Sequence, residues 1–125
     1  MVELFAPPGY WRLTPEQKAE VCNGCGSRST WWVPDTIWGL CVTPACNIHD
    51  YMYAVGETAQ DKEDADTAFL NNMLRLIQAQ ASWPLLARLR AHRARVYYRA
   101  VRDLGGPFYW DSKNAPDEMR SLIYA

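Results

Sequence analysis

Apolar and polar positions recur with helical spacing along most of this chain, and the helix starts are well marked. In Thr14-Pro15-Glu16-Gln17, Thr14 is an N-cap, Pro15 fits the first helical position and Gln17 can complete a capping box. That helix is short and should end near Cys22, because Asn23-Gly24 and Gly26 break it. Before it, residues 1–13 with Pro7-Pro8-Gly9 read as an extended or turning arm carrying Tyr10 and Trp11. Residues 23–43 read as a long loop containing Pro34, Gly39 and the tryptophans Trp31, Trp32 and Trp38. A loop of this length in a small domain is usually functional or cross-linked.

A central helix follows over about residues 44–55, opened by Pro44 and closed by Gly56. A turn capped by Thr58 or Asp61 leads into a second helix, expected from about Asp61 to Ala81, with a stripe of Asp66, Phe69, Met73 and Leu76. A third helix runs from Pro84 to just before Gly105-Gly106-Pro107, its apolar stripe being Leu85, Leu89, Val96, Ala100 and Leu104. His92, spaced between Leu89 and Val96, should lie near the core. Phe108-Tyr109-Trp110 and the tail pack back or dangle, and Pro116 and Asp117 could start one last turn. Neither an internal repeat nor a strand pairing is evident. The expectation is an all-α domain.

At 125 residues, the chain is read as one domain, 1–125, large enough for a real core. Its apolar fraction of 49 % and net charge of −1 place it with globular rather than disordered proteins. Charge changes the picture only in its distribution. Glu57, Asp61, Glu63, Asp64 and Asp66 form an acidic segment, and Arg88, Arg90, Arg93, Arg95, Arg99 and Arg102 a basic one. The arginines spread as on an ordinary solvated face, so nucleic acid is not the expected partner. No apolar run reaches the length of a membrane-spanning helix. Residues 1–20 show no signal peptide, which implies a cytoplasmic chain, export by a non-standard route, or a trimmed leader. Nucleotide-binding glycine motifs, a serine elbow and paired-histidine protease motifs are absent from the sequence.

The chemistry gathers on the central helix. Cys46, His49, Asp50 and Tyr53 fall at i, i+3, i+4 and i+7, so one face carries a thiol, an imidazole, a carboxylate and a phenol. Asp66 sits at the head of an apolar stripe, where a carboxylate needs a partner, and His49 is the only histidine upstream of it. An Asp so placed fixes the tautomer of a His and stabilises its cation. Asp64, the other acid nearby, points about 200° away on an ideal helix.

The spacing C-x-x-H-D-x-x-Y over Cys46–Tyr53, with D-x-x-F at Asp66–Phe69, resembles the active-site helices of the secreted phospholipase A2 superfamily, closest to its bacterial and fungal branch. The resemblance covers about residues 22–73. It implies calcium-dependent hydrolysis of the sn-2 acyl ester of glycerophospholipids at a membrane surface, by a bacterial or phage protein. His49 would be the general base, Asp66 its orienting partner and Tyr53 the brace on that network. Asp50, with the carbonyls of Asn23 and Gly24, would bind calcium. Asn23 stands where that branch tends to carry an acid, a departure that lowers the charge available to the ion. Asp35, in Pro34–Gly39, resembles part of the run before the helix and is read as structural.

The four cysteines leave three arrangements open. Cys22-x-x-Cys25, fifteen residues and Cys41-x4-Cys46 come close to structural zinc spacing. The resemblance implies instead a Cys25–Cys46 disulfide, with Cys22 and Cys41 paired or free. The missing signal peptide favours reduced thiols. The alternative function is accordingly a catalytically inactive or zinc-stapled helical module that contacts membrane, nucleic acid or a protein partner.

Overall fold

A computed structural model of the chain describes residues 3–22, 34–80 and 83–110. Its body is three helices in sequence: α3 (Thr43–Val55), α4 (Ala59–Ala79) and α5 (Pro84–Leu104). α4 lies in the middle and packs on both neighbours. The short helices α1 (Pro8–Trp11) and α2 (Pro15–Val21) precede them, and α6 (Gly106–Trp110) follows. The fold is mostly helical, as expected.

The helix starts follow the capping chemistry. Thr14 Oγ1 accepts from Gln17 N, and Thr14 N donates back to Gln17 Oε1. Thr58, rather than Asp61, caps α4: its side chain accepts from Asp61 N, while Asp61 reaches back to Thr58 N. α4 therefore begins at Ala59 and ends at Ala79, two residues off the expected span at each end. Pro8, Pro44 and Pro84 each occupy the first turn of their helices, where the missing N–H costs nothing.

Three features depart from the sequence reading. A strand pair exists: β1 (Thr36–Ile37) runs antiparallel to β2 (Leu40–Cys41), with Thr36 opposite Cys41 and Ile37 opposite Leu40. The two connecting residues, Trp38 and Gly39, both have positive φ, 47° and 80°, as the tight turns matched to strand twist require. Two-residue strands are too short to show alternation. Asp35, which caps this hairpin through Val42 N→Asp35 O at 2.8 Å and Thr43 Oγ1→Asp35 Oδ1 at 3.3 Å, has a structural position.

The second departure is the rotation of α5. The buried residues are Arg90, Ala94, Tyr97 and Val101, whereas Leu85, Leu89, Val96 and Leu104 of the expected stripe are exposed. The two stripes lie about 110° apart around an ideal helix. Arg90 and Tyr97 bury long side chains while their polar tips reach carbonyls of the hairpin, Arg90 Nη2→Trp38 O at 2.8 Å and Tyr97 OH→Thr36 O at 3.0 Å. Hydropathy counts such residues as surface, so it misplaces the face. His92 is correspondingly exposed rather than near the core.

The third concerns the ends, both of which are helical. The N-terminal arm holds α1, with Tyr10 buried, and Phe108-Tyr109-Trp110 packs back, one of the two expected outcomes, but within α6, with Tyr109 fully buried. Asn72 clamps the arm: Phe5 N donates to Asn72 Oδ1 at 2.7 Å and Asn72 Nδ2 donates to Phe5 O at 2.8 Å. Two apolar clusters result. One joins Ile37, Val42, Cys46, Phe69 and Val101; the other joins Tyr10, Ile48, Tyr53, Ala65 and Tyr109. Among the described residues, no helix is long and apolar enough to cross a membrane. The expectations for Asn23, Gly24, Cys25, Trp31, Trp32, Pro116 and Asp117 lie outside the described residues.

Candidate active site

The polar face of α3 is turned inward. Cys46, His49, Asp50 and Tyr53 are all buried, with His49 completely so. α4 meets this face with Asp66 and Phe69, also buried. His49 Nε2 and Asp66 Oδ1 are 2.8 Å apart, and Tyr53 OH donates to the same oxygen at 2.7 Å. The His49 ring is packed between Tyr53 and Phe69, with centroids 4.1 and 5.0 Å away. Asp64 is exposed and takes a bond from Gln60 Nε2 instead. The helical arithmetic thus brings His49, Asp66 and Tyr53 together.

One member of the network was not anticipated. Lys62 Nζ donates to Asp66 Oδ2 at 2.8 Å and to the carbonyls of Arg102, at 3.1 Å, and Val101, at 3.4 Å. It lies four residues before Asp66 on α4, a spacing that pairs charges on one helical face. It also satisfies carbonyls in the last turn of α5, where a cation is favoured by the helix dipole. The i, i+4 relationship was the available signal for it. The contact across to α5 had none.

Electrostatics and burial fix the protonation states. Burial alone would raise the pKa of Asp66, but hydrogen bonds from His49, Lys62 and Tyr53, with the charge of His49, hold it below the ordinary carboxylate value. The Tyr53 phenol is pushed far up by burial and by the adjacent Asp66 carboxylate, so it stays a donor. Tyr109, stacked edge-on to Tyr53 at 5.1 Å, is pushed up to about 12 by burial and by the nearby charges of Asp61, Glu57 and Asp66. An ionised Asp66 only accepts, so His49 Nε2 must carry the hydrogen in their bond. In the neutral ring Nδ1 therefore holds the lone pair. That atom is buried and has no hydrogen-bond partner among the described residues.

No protein-family model, curated protein or solved structure matches the chain. The chemistry of the site thus rests on its geometry.

Asp50 follows His49 on α3 and is 6 % exposed. Its charge reaches Cys22, whose thiol is raised first by burial and then by Asp50. Asp50 offers the hard carboxylate oxygen that calcium takes. Among the described residues, no cluster of three or more His, Cys, Asp or Glu could hold a metal. Cys22 and Cys41 are free thiols and do not pair with each other. Cys41 is exposed; Cys46 is fully buried and is not among the free cysteines.

Proposed function

We propose that the chain is a phospholipase A2-like hydrolase that cleaves the sn-2 acyl ester of glycerophospholipids with calcium. The observation that carries this reading is a buried histidine held by an ionised aspartate on one nitrogen, with a buried Nδ1 on the other that is unpartnered among the described residues. A lone pair so placed accepts a proton from water. His49 takes that proton as the water oxygen bonds to the ester carbonyl carbon. It returns the proton to the departing glycerol oxygen as the acyl bond breaks, giving a free fatty acid and a lysophospholipid. Asp66 keeps the ring in the required tautomer and stabilises its cation; Tyr53 and Lys62 keep Asp66 in place and ionised.

Asp50, with the carbonyls of Asn23 and Gly24, would hold calcium, which supplies positive charge for the developing oxyanion. A Cys25–Cys46 disulfide would anchor the segment bearing those carbonyls to α3, in keeping with the buried position of Cys46. Stoichiometric zinc on the four cysteines would instead support the inactive, zinc-stapled module.

The test is fatty-acid release from mixed zwitterionic and anionic vesicles, with calcium and with chelator, beside a folded His49→Ala protein. Release should require both calcium and His49, and Asp50→Ala should lower it by about a hundredfold or more. Undiminished release by His49→Ala would overturn the assignment.

A further inference from the structure

Arg90 sits at the opposite end of α5 from the Asp66 network, about 16 Å along the helix from Val101 at 1.5 Å per residue. It is 7 % exposed, yet only Nη2 is bonded, to the Trp38 carbonyl. Nε and Nη1 are buried without a hydrogen-bond partner among the described residues. Among the described residues no carboxylate forms an ion pair with it. A buried guanidinium with orphan donors is costly, and an anion is what relieves that cost.

The surroundings say which kind of anion. Arg90 lines a groove of about 540 Å³ whose other walls include Trp38, Trp83, Leu85 and Leu89. Trp83 is 80 % exposed, Leu85 66 % and Trp38 53 %. A small inorganic anion would satisfy Arg90 and leave these walls bare. A neutral alkyl chain would cover the walls and leave the guanidinium orphaned. The two halves of the groove are met together by an amphiphile with a slim, planar, anionic head, since a carboxylate matches the guanidinium plane.

We propose that this groove binds one long-chain carboxylate, its head on Arg90 and its chain along Trp38, Trp83, Leu85 and Leu89. The site stands independently of the proposed hydrolysis, although that reaction releases a ligand of this class.

The intact chain is titrated calorimetrically with dodecanoate below its micelle-forming concentration, alongside dodecanol, acetate, inorganic phosphate and anionic phospholipid vesicles. Dodecanoate should saturate a single site, with dodecanol, acetate and phosphate each at least about tenfold weaker. Arg90→Gln should erase the preference for dodecanoate over dodecanol. Trp83→Ala alters a largely exposed side chain, so the fold is expected to survive, and dodecanoate should bind about tenfold more weakly. His49→Ala, which ends the proposed hydrolysis, should leave binding unchanged. Equal affinity for dodecanol, unchanged affinity in Trp83→Ala, or vesicle binding without dodecanoate binding would each overturn the proposal. If Arg90→Gln fails to fold, the Trp83→Ala and dodecanol comparisons still decide it.

Discussion

One oxygen of Asp66 accepts from both His49 Nε2, at 2.8 Å, and Tyr53 OH, at 2.7 Å, leaving the other oxygen to Lys62. The carboxylate is thereby held from two sides, and removing one donor should cost less than removing the charge that the donors share. Tyr53→Phe leaves Asp66 with two cationic or ring N–H partners and should lower stability by about 1–2 kcal/mol in urea unfolding. Asp66→Asn removes the charge that holds both His49 and Lys62. It should cost about 3 kcal/mol or more and, on the proposed mechanism, reduce turnover roughly a hundredfold.

Acid should unfold the protein through Asp66. Its pKa is depressed in the folded chain, so its contribution is present above the unfolded value of about 3.9 and is lost as pH falls through the lower folded value. Lys62→Met removes one of the bonds holding the folded pKa down and should move that loss to higher pH. Melting midpoints followed from about pH 6 down to pH 2 would show this, with Asp66→Asn giving a shallower acid limb than the parent.

Gly105 constrains the Tyr53 phenol from outside α3. A Cβ at this position would sit 2.6 Å from Tyr53 OH and would also strike the Val101 carbonyl. Gly105→Ala should therefore displace Tyr53 from Asp66 and destabilise the fold by about 1–3 kcal/mol. The altered near-ultraviolet circular dichroism of the aromatic cluster would report it, and Gly106→Ala, with open space around its Cβ, should be close to silent.

The arm is tied down mainly by Asn72, which is fully buried and bonds both the N–H and the C=O of Phe5. Asn72→Ala should cost about 2 kcal/mol. Limited proteolysis should then cut within residues 3–7 faster than in the parent, while α4 stays protected.

The parts legible in the sequence were those set by short-range periodicity. The face of α3 and the head of the α4 stripe follow from helical spacing, and they bring His49, Tyr53 and Asp66 into bonding distance. Thr14 and Thr58 announced their helices through capping chemistry. Illegible were the contacts made by long polar side chains reaching across elements. Tyr97 and Arg90 turn α5 by bonding hairpin carbonyls, and Lys62 joins α4 to the end of α5. Their polar atoms read as surface in any hydropathy pattern, whereas their partners are backbone groups that carry no sequence signature. The hairpin was hidden for a simpler reason: two-residue strands contain no pattern to read.

Trp38 holds a left-handed backbone conformation that asparagine or glycine would adopt at lower energy. Replacing it with Asn should relax the turn and strip an indole from the wall beside Arg90 in a single step. If the proposed carboxylate site is used, selection for thermal robustness and selection for ligand retention pull this position in opposite directions. A library at residue 38, sorted separately for each property, should return different winners.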